Sequence, residues 1–581
     1  MPLSHFRSHF RPAPARRAPL PFAPAAARAA AALGVIIFAA ALAAPLAAQS
    51  PAADPPPHLA RRGKVIQLIV NGQPFLMLAG ELHNSSSSSL AYMRPIWPRL
   101  KAMHLNTAVV PLSWELIEPT EGHYSWRLLD GLLRQARAYH MHVVFLWLAS
   151  WKNGLSSYPP LWVKANTTRF PRVILRGRPT TILSAFAPAT RRADADAFAA
   201  VMRHIQQVDG AQHTVLMMQV ENEVGILGAG RDHSPAANRA FNGPVPRRLL
   251  QYLAAHKAEL NGHFLRFWRR HGEKTAGTWP QVFGRGARAG QVFMAWYYAR
   301  FINAVAAAGK AQYPLPMYVN TWLAGQGAPP GTFPSGGPLP FVQDVWRAAG
   351  HAIDIFSPDL YASNFVAWCR RYHRNGNPLW MPETTNGPRA AANVFYAVGE
   401  DAALGFSPFA IDTPYPYNSA RANPHWFYGS DMKIAPPTLA ESYQALAELW
   451  PRIQRAEQAG TIRGFVLSPS QSQVEFDLNG YRLHVSRDAL FGRGVHAGFG
   501  LIMADGPNQF FGVGRGFQVT FTSLGPSGDT VGLGWVQDGS MQGGHWVAGR
   551  RLNGDEDSQG QDWRVDDTRI HFEKAAVYRT H

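Results

Sequence analysis

Cysteine is almost absent from this chain: Cys369 is the only one in 581 residues. No intrachain disulfide can form, so a disulfide-stapled scaffold is excluded and the fold must rest on its core. A lone thiol is compatible with the periplasm or a bacterial exterior and reads as a buried, inert side chain rather than a nucleophile. Dense basic blocks are also missing. The formal charge is +18, yet five arginines and no acid precede Gln49, and without them +13 remains, spread along the chain. Nucleic-acid binding calls for a concentrated basic patch, so no nucleic-acid partner is expected. The excess reads as a solvated basic surface, with an anionic cell surface or acidic polysaccharide as the alternative.

No set of His, Asp and Glu has metal-ligand spacing, and Gly325-Gln326-Gly327 and Gly512-Val513-Gly514-Arg515-Gly516 do not sit between a strand and a helix as a phosphate loop would. Neither metal nor cofactor is expected. Long apolar runs are scarce as well. Residues 29–44 form one, alanine-rich and only weakly hydrophobic, with Leu33-Gly34-Val35-Ile36-Ile37-Phe38 at its centre. A basic stretch leads into it and Pro45-Leu46-Ala47-Ala48-Gln49 leaves it, the pattern of a cleaved signal over residues 1–48 rather than a retained anchor. The mature form is therefore expected to have no membrane span and to reside in the periplasm or outside a bacterial cell. Arg16-Arg17 hints at twin-arginine export, although the residues after the pair fit that motif poorly. Residues 49–60, proline-rich from Pro51 to Pro57, read as a linker.

What the chain does have is alternation of β and α signals over residues 61–435. Strands are expected at 75–81, 106–110, 143–147, 215–218, 317–319, 353–356, 379–381 and 405–409. Helical spacing falls between them at 93–103, 128–139 and 194–207, and in an insertion at 247–270 and 291–308. Eight such strands suffice to close a (β/α)8 barrel. Beyond residue 460, short alternating runs such as Tyr481-Arg482-Leu483-His484-Val485, separated by Gly-, Asn- and Asp-rich turns, predict an antiparallel β-sandwich. A helix at 436–453 is expected to dock this second domain, residues 436–581, on the barrel.

Barrel active sites lie at the C-terminal ends of the strands. Here those ends carry Glu81-Leu82-His83-Asn84, Ser113-Trp114-Glu115, Ser150-Trp151-Lys152-Asn153, Asn222-Glu223, Asn320-Thr321-Trp322, Asp359-Leu360-Tyr361 and Glu383. A mixture of acids, amides and indoles suits a hydroxyl-rich ligand, with tryptophan stacking on the C–H face of a sugar. Glycosidic hydrolysis needs two carboxyl groups flanking the anomeric carbon. The segments Gln219-Val220-Glu221-Asn222-Glu223-Val224-Gly225 and Trp380-Met381-Pro382-Glu383-Thr384 are placed to supply them. Glu221 and Glu223 lie two apart, so a regular strand points both to one face. One of them then buttresses the other or pairs with an arginine. His83 reads as a hydrogen-bonded structural residue.

Residues 219–225 resemble the Q-[IV]-E-N-E-x-G signature of glycoside hydrolase family 35, the β-galactosidases of the retaining clan A. Trp114-Glu115-Leu116-Ile117-Glu118-Pro119, Ser150-Trp151-Lys152-Asn153-Gly154 and Arg551-Leu552-Asn553-Gly554-Asp555 extend the likeness to a bacterial branch with a C-terminal β-domain. The resemblance implies Glu223 as acid/base, Glu383 as nucleophile, Asn222 as partner of the sugar 2-hydroxyl and Tyr361 as the residue orienting the nucleophile. Trp114, Trp151, Asn320 and Trp322 complete the expected substrate-binding set. The partner implied is a galactose-bearing oligo- or polysaccharide, notably xyloglucan side chains, cleaved at its terminal galactosyl unit by double displacement. The chain departs from the family in three places. Ala149-Ser150-Trp151 stands where A-E-W is common, Pro111-Leu112-Ser113-Trp114 where Y-V-P-W is, and His83-Asn84-Ser85 where H-Y-S is. Another exo-glycosidase (β-glucosidase, β-fucosidase or α-L-arabinopyranosidase) and a non-catalytic glycan-binding protein are the alternatives.

Overall fold

The computed structural model describes residues 54–325, 327–413, 439–488, 498–525 and 529–580. The expected signal at residues 1–48 lies outside them. Order begins earlier than the linker reading placed it, with a strand at His58–Arg62 pairing antiparallel to Val65–Val70. Val65–Val70 is rich in β-branched residues and turns into Gln73–Phe75 through Asn71-Gly72, both at positive φ (50° and 74°). Asn-Gly with two left-handed residues is the tight hairpin turn whose twist matches the strands it joins. Leu68 and Val70 then pack in the same apolar cluster as Met77, Ala79, Val144, Met217, Tyr318 and Trp380, so this meander plugs the end of the barrel where Met77 begins.

Eight parallel strands close the barrel in chain order. They are Met77–Glu81, Thr107–Ser113, His142–Lys152, Val215–Asn222, Met317–Trp322, Ile355–Leu360, Met381–Thr384 and Gly405–Pro408. Several run further toward their C-terminal ends than the apolar runs suggested, because the polar residues at those ends are buried and paired inside the barrel mouth. Intervening helices match the expected spacing in the main. The exceptions have local causes: Pro95 splits the first into Leu90–Met93 and Ile96–Ala102. The stretch expected helical at 247–270 is likewise two short helices, Arg247–Ala255 and Gly262–Arg270, the second capped by the Asn261 side chain.

Helix Leu439–Ala459 leads to the second domain and is tied to the barrel by the Tyr443 hydroxyl, 2.7 Å from the carbonyl oxygens of Ala79 and Phe406. A six-stranded and a four-stranded antiparallel sheet follow, packed around Phe465, Tyr481, Leu483, Phe510, Phe517 and Trp563. The two domains touch most closely where helix Pro388–Gly399 meets strand Ile462–Leu467. A Cβ on Gly399 would lie 2.9 Å from the Gly464 Cα, so only glycine fits there.

Candidate active site

Strand four carries the decisive geometry. Regular alternation would aim Glu221 and Glu223 the same way, but both adopt left-handed backbone, with φ of +63° and +44°. Such conformations are uncommon for residues bearing a Cβ and concentrate at functional sites. The two carboxyls diverge as a result. Glu221 accepts hydrogen bonds from the backbone N–H groups of Ser150 (3.0 Å) and Trp151 (2.7 Å) and bonds to Asp194 on helix Pro188–Asp209. Asp194 in turn accepts from the Trp147 indole at 2.9 Å and the Ser150 hydroxyl at 2.5 Å. Burial raises both carboxyls above their ordinary values, and the charge of Asp194 raises Glu221 further. The one-face expectation thus fails for Glu221, and its pairing group is an acid rather than an arginine.

Gly225 closes the same segment at φ +148°, where a Cβ would lie 2.3 Å from the Pro334 carbonyl carbon. The loop after strand five therefore lies directly against the segment that carries Glu223. Strand seven makes a comparable adjustment. Trp380 packs in the barrel lumen and Met381 in the outer core, so a regular strand would turn Glu383 outward with Met381. A register shift between Met381 and Thr384 intervenes, the kind of bulge that re-aims a side chain beside an active site.

Four acids meet in the barrel mouth: Glu81, Glu223, Asp359 and Glu383. Glu223 and Glu383 keep 7% and 8% of their surface accessible, against 1% for Glu81 and 3% for Asp359. The Glu223 backbone N–H donates to Asn320 Oδ1 at 2.8 Å, while Asn320 Nδ2 donates to Asp359 Oδ2 at 2.7 Å. Asp359 also bonds to the Glu223 carboxyl itself, and it pairs in register with Glu383 across strands six and seven. Burial, and next the charge of Glu383, raise Glu223 to about 7; Lys152 and the bond to Asp359 oppose the shift. Glu81 and Asp359 are held well above the usual carboxylate range by the same two causes, burial first and Glu383 second. Tyr361 donates its hydroxyl to Glu383 Oε1 at 2.5 Å, and burial keeps that phenol protonated. Lys152 Nζ donates to Asn222 Oδ1 at 2.8 Å, fixing the amide so that Asn222 Nδ2 is left as a buried donor with no partner among the described residues.

Glu223, Glu383, Asn222 and Tyr361 thus converge at one mouth. Two expected sugar contacts do not. Trp114 and Trp151 are fully buried. Trp114 donates to Glu118 Oε2 at 2.8 Å and packs on Trp147 and Trp162, while Trp151 donates to the Leu183 carbonyl and packs on Tyr298 and Phe301. Both rings fill core rather than offering a face to a ligand. Asn320 is committed to Glu223 and Asp359, which makes it a positioning group. Trp322 ends strand five partly exposed. Glu81, Asp359 and Lys152 enter the site although no role was foreseen for them. Glu81 carried a signal, since it shares parity with Met77 and Ala79, both in the lumen. His83 is structural as expected, bonded to Asp412 Oδ1 at 2.9 Å.

Residues 93–273 match the Glyco_hydro_42 family model, described as Beta-galactosidase, and residues 439–564 match a domain of unknown function, DUF5597. The first stretch includes Glu223 and ends before Glu383. The matched model is thus family 42, whereas residues 219–225 resemble family 35; a β-galactosidase is common to both. A "Beta-galactosidase" of Xanthomonas manihotis is 28% identical over 218 residues, 36% of this chain and 33% of that protein. The chain therefore matches about a third of that relative's length. Among solved structures, the β-amylase catalytic domain of Paenibacillus polymyxa aligns over 58% of this chain and 92% of its own, at 11% identity and TM-score 0.39. A β-galactosidase of the psychrophilic Marinomonas ef1 aligns over 66% and 60%, at 15% identity and TM-score 0.39.

Proposed function

We propose that this chain is an exported retaining glycosidase that removes terminal β-D-galactosyl units from oligo- or polysaccharides by double displacement. The observation that carries the reading is the pairing of Glu223 with Glu383. They are the two most accessible of those four acids, and burial, with the charge of Glu383 next, raises Glu223 to about 7. In the first step a Glu383 oxygen attacks the anomeric carbon and forms an ester, the glycosidic bond breaks, and Glu223 gives its proton to the departing oxygen. Esterification removes the Glu383 charge, the second cause of the raised Glu223 value, so Glu223 becomes a stronger acid and is left as the carboxylate. It then takes a proton from water as the water oxygen attacks the anomeric carbon, and the ester bond breaks to regenerate Glu383.

Asn222 supports the sugar assignment, since its unpartnered buried Nδ2 suits a hydroxyl acceptor beside the anomeric carbon. Galactose as the sugar follows from the matched family description, and export from the signal-like pattern of residues 1–48. A panel of nitrophenyl β-galactoside, β-glucoside, β-fucoside and α-L-arabinopyranoside tests the sugar. The galactoside is expected to be the best substrate, and turnover of none of them would overturn the enzymatic reading. N-terminal sequencing of protein recovered from periplasm or medium tests export, with a start near Gln49 expected.

A further inference from the structure

A cavity of about 520 Å³ opens among the elements that follow strands four to six, within the ~300–1,000 Å³ range of small-molecule sites. Ala324, two residues beyond Trp322, lines it, as do Trp368 and Arg371 on helix Phe365–Tyr372, which follows strand six. Its chemistry is one-sided. Arg270, Arg288 and Arg371 contribute guanidinium groups, and no acidic side chain lines it among the described residues. None of the three arginines has an ion-pair partner among those residues. Arg371 lies over the Trp368 ring at 4.6 Å and Arg288 over Phe341 at 5.1 Å, so aromatic faces rather than carboxylates hold them in place.

The cavity also holds an unmet hydrogen-bond donor. Gln291 is fully buried in its wall; its Oε1 accepts from Arg288 Nη1 at 3.0 Å, but its Nε2 has no partner among the described residues. Arg288 and Gln291 stand in the first turns of helix Ala287–Lys310, whose N-terminus has no side-chain cap. Unneutralised guanidinium groups and an orphaned amide donor call for the same thing, an oxyanion.

We propose that this cavity is a subsite for an anionic sugar unit, a carboxylate- or sulfate-bearing residue of the same polysaccharide whose galactosyl end occupies the Glu223–Glu383 site. The proposal rests on the glycosidase reading and narrows its substrate to acidic glycans. A cavity of this size, walled by the loop after strand five, helix Phe365–Tyr372 and helix Gly262–Arg270, exceeds what a free inorganic anion needs.

The test uses the full chain carrying Glu383→Gln, so that ligands survive, titrated by calorimetry with oligogalacturonate, a sulfated galacto-oligosaccharide and a neutral galacto-oligosaccharide. At least one acidic ligand is expected to bind about tenfold more tightly than the neutral one, with affinity falling as salt rises. Which acidic ligand binds distinguishes carboxylate from sulfate. Arg371→Ala, at an exposed position, and Arg288→Ala are each expected to weaken that binding about tenfold and leave the neutral ligand unaffected. Introduced singly into otherwise unaltered protein, they are expected to leave hydrolysis of nitrophenyl β-galactoside unchanged. The proposal is overturned if neither acidic ligand outbinds the neutral one, if Arg371→Ala leaves acidic binding intact, or if only inorganic sulfate or phosphate binds. Failure of the catalytic reading would look different: no nitrophenyl glycoside turned over by the unaltered protein, with acidic oligosaccharide binding preserved.

Discussion

Tyr361 and Glu383 are joined by a 2.5 Å hydrogen bond in which the phenol donates to the carboxylate Oε1. The bond holds that carboxylate in place, and burial prevents the phenol from ionising against it. Tyr361→Phe is expected to lower kcat on nitrophenyl β-galactoside about 10–100-fold with a smaller change in KM, because a hydrogen bond to a charged group is worth about 1.5–3 kcal/mol. Steady-state kinetics check this; an unchanged kcat contradicts the role.

Glu223 must carry its proton when the leaving group departs, and it is raised to about 7. A raised carboxyl is protonated below that value and ionised above it, so kcat/KM is expected to decline as pH rises through about 7. Glu223→Gln should remove that limb and harm substrates with poor leaving groups far more than dinitrophenyl galactosides. A pH–rate profile with the same alkaline limb in the variant would assign the acid elsewhere.

The tryptophans separate core from site. Trp151→Ala is expected to destabilise the fold by about 3–5 kcal/mol, the cost of emptying a buried aromatic position. Trp322→Ala, at a partly exposed strand end, should leave the melting temperature nearly unchanged and raise KM. Thermal unfolding and kinetics on the two variants suffice. The reverse pattern would restore Trp151 as a sugar contact.

In the sandwich, Glu573 is 3% exposed and accepts from the Trp563 indole at 2.8 Å; burial raises it to about 8. An unfolded glutamate titrates near about 4.3, so between the two values the folded chain binds more protons and stability falls as pH rises. Glu573→Gln keeps an acceptor for the indole and removes the titration. Its melting temperature is expected to drop less than that of the unaltered protein between about pH 5 and about pH 8. Parallel melting curves would contradict the linkage.

Barrel and sandwich were legible because both are written in periodicity. Apolar runs at strand spacing recur between amphipathic stretches up to residue 435, and short alternating runs follow. The candidate pair, Glu223 and Glu383, stood out through the motif around the first and the position of both at the ends of strands four and seven. Orientation was not. Left-handed backbone at Glu221 and Glu223, and the shift between Met381 and Thr384, depend on tertiary contacts such as Pro334 against Gly225, which periodicity does not encode. Glu81 and Asp359 matter through their burial within reach of the Glu383 charge, another property absent from linear spacing. Trp114 and Trp151 look like any loop tryptophan until the helices behind them are placed.

The most direct test of the paired-carboxylate site is covalent trapping with 2,4-dinitrophenyl 2-deoxy-2-fluoro-β-D-galactoside, followed by peptide mass spectrometry. The fluorine slows both steps and the activated leaving group restores the first, so the sugar ester accumulates on the nucleophile. The account predicts one label, on Glu383, abolished by Glu383→Gln. A label on Glu81 or Asp359, or rapid turnover with inverted product and no label, would contradict it.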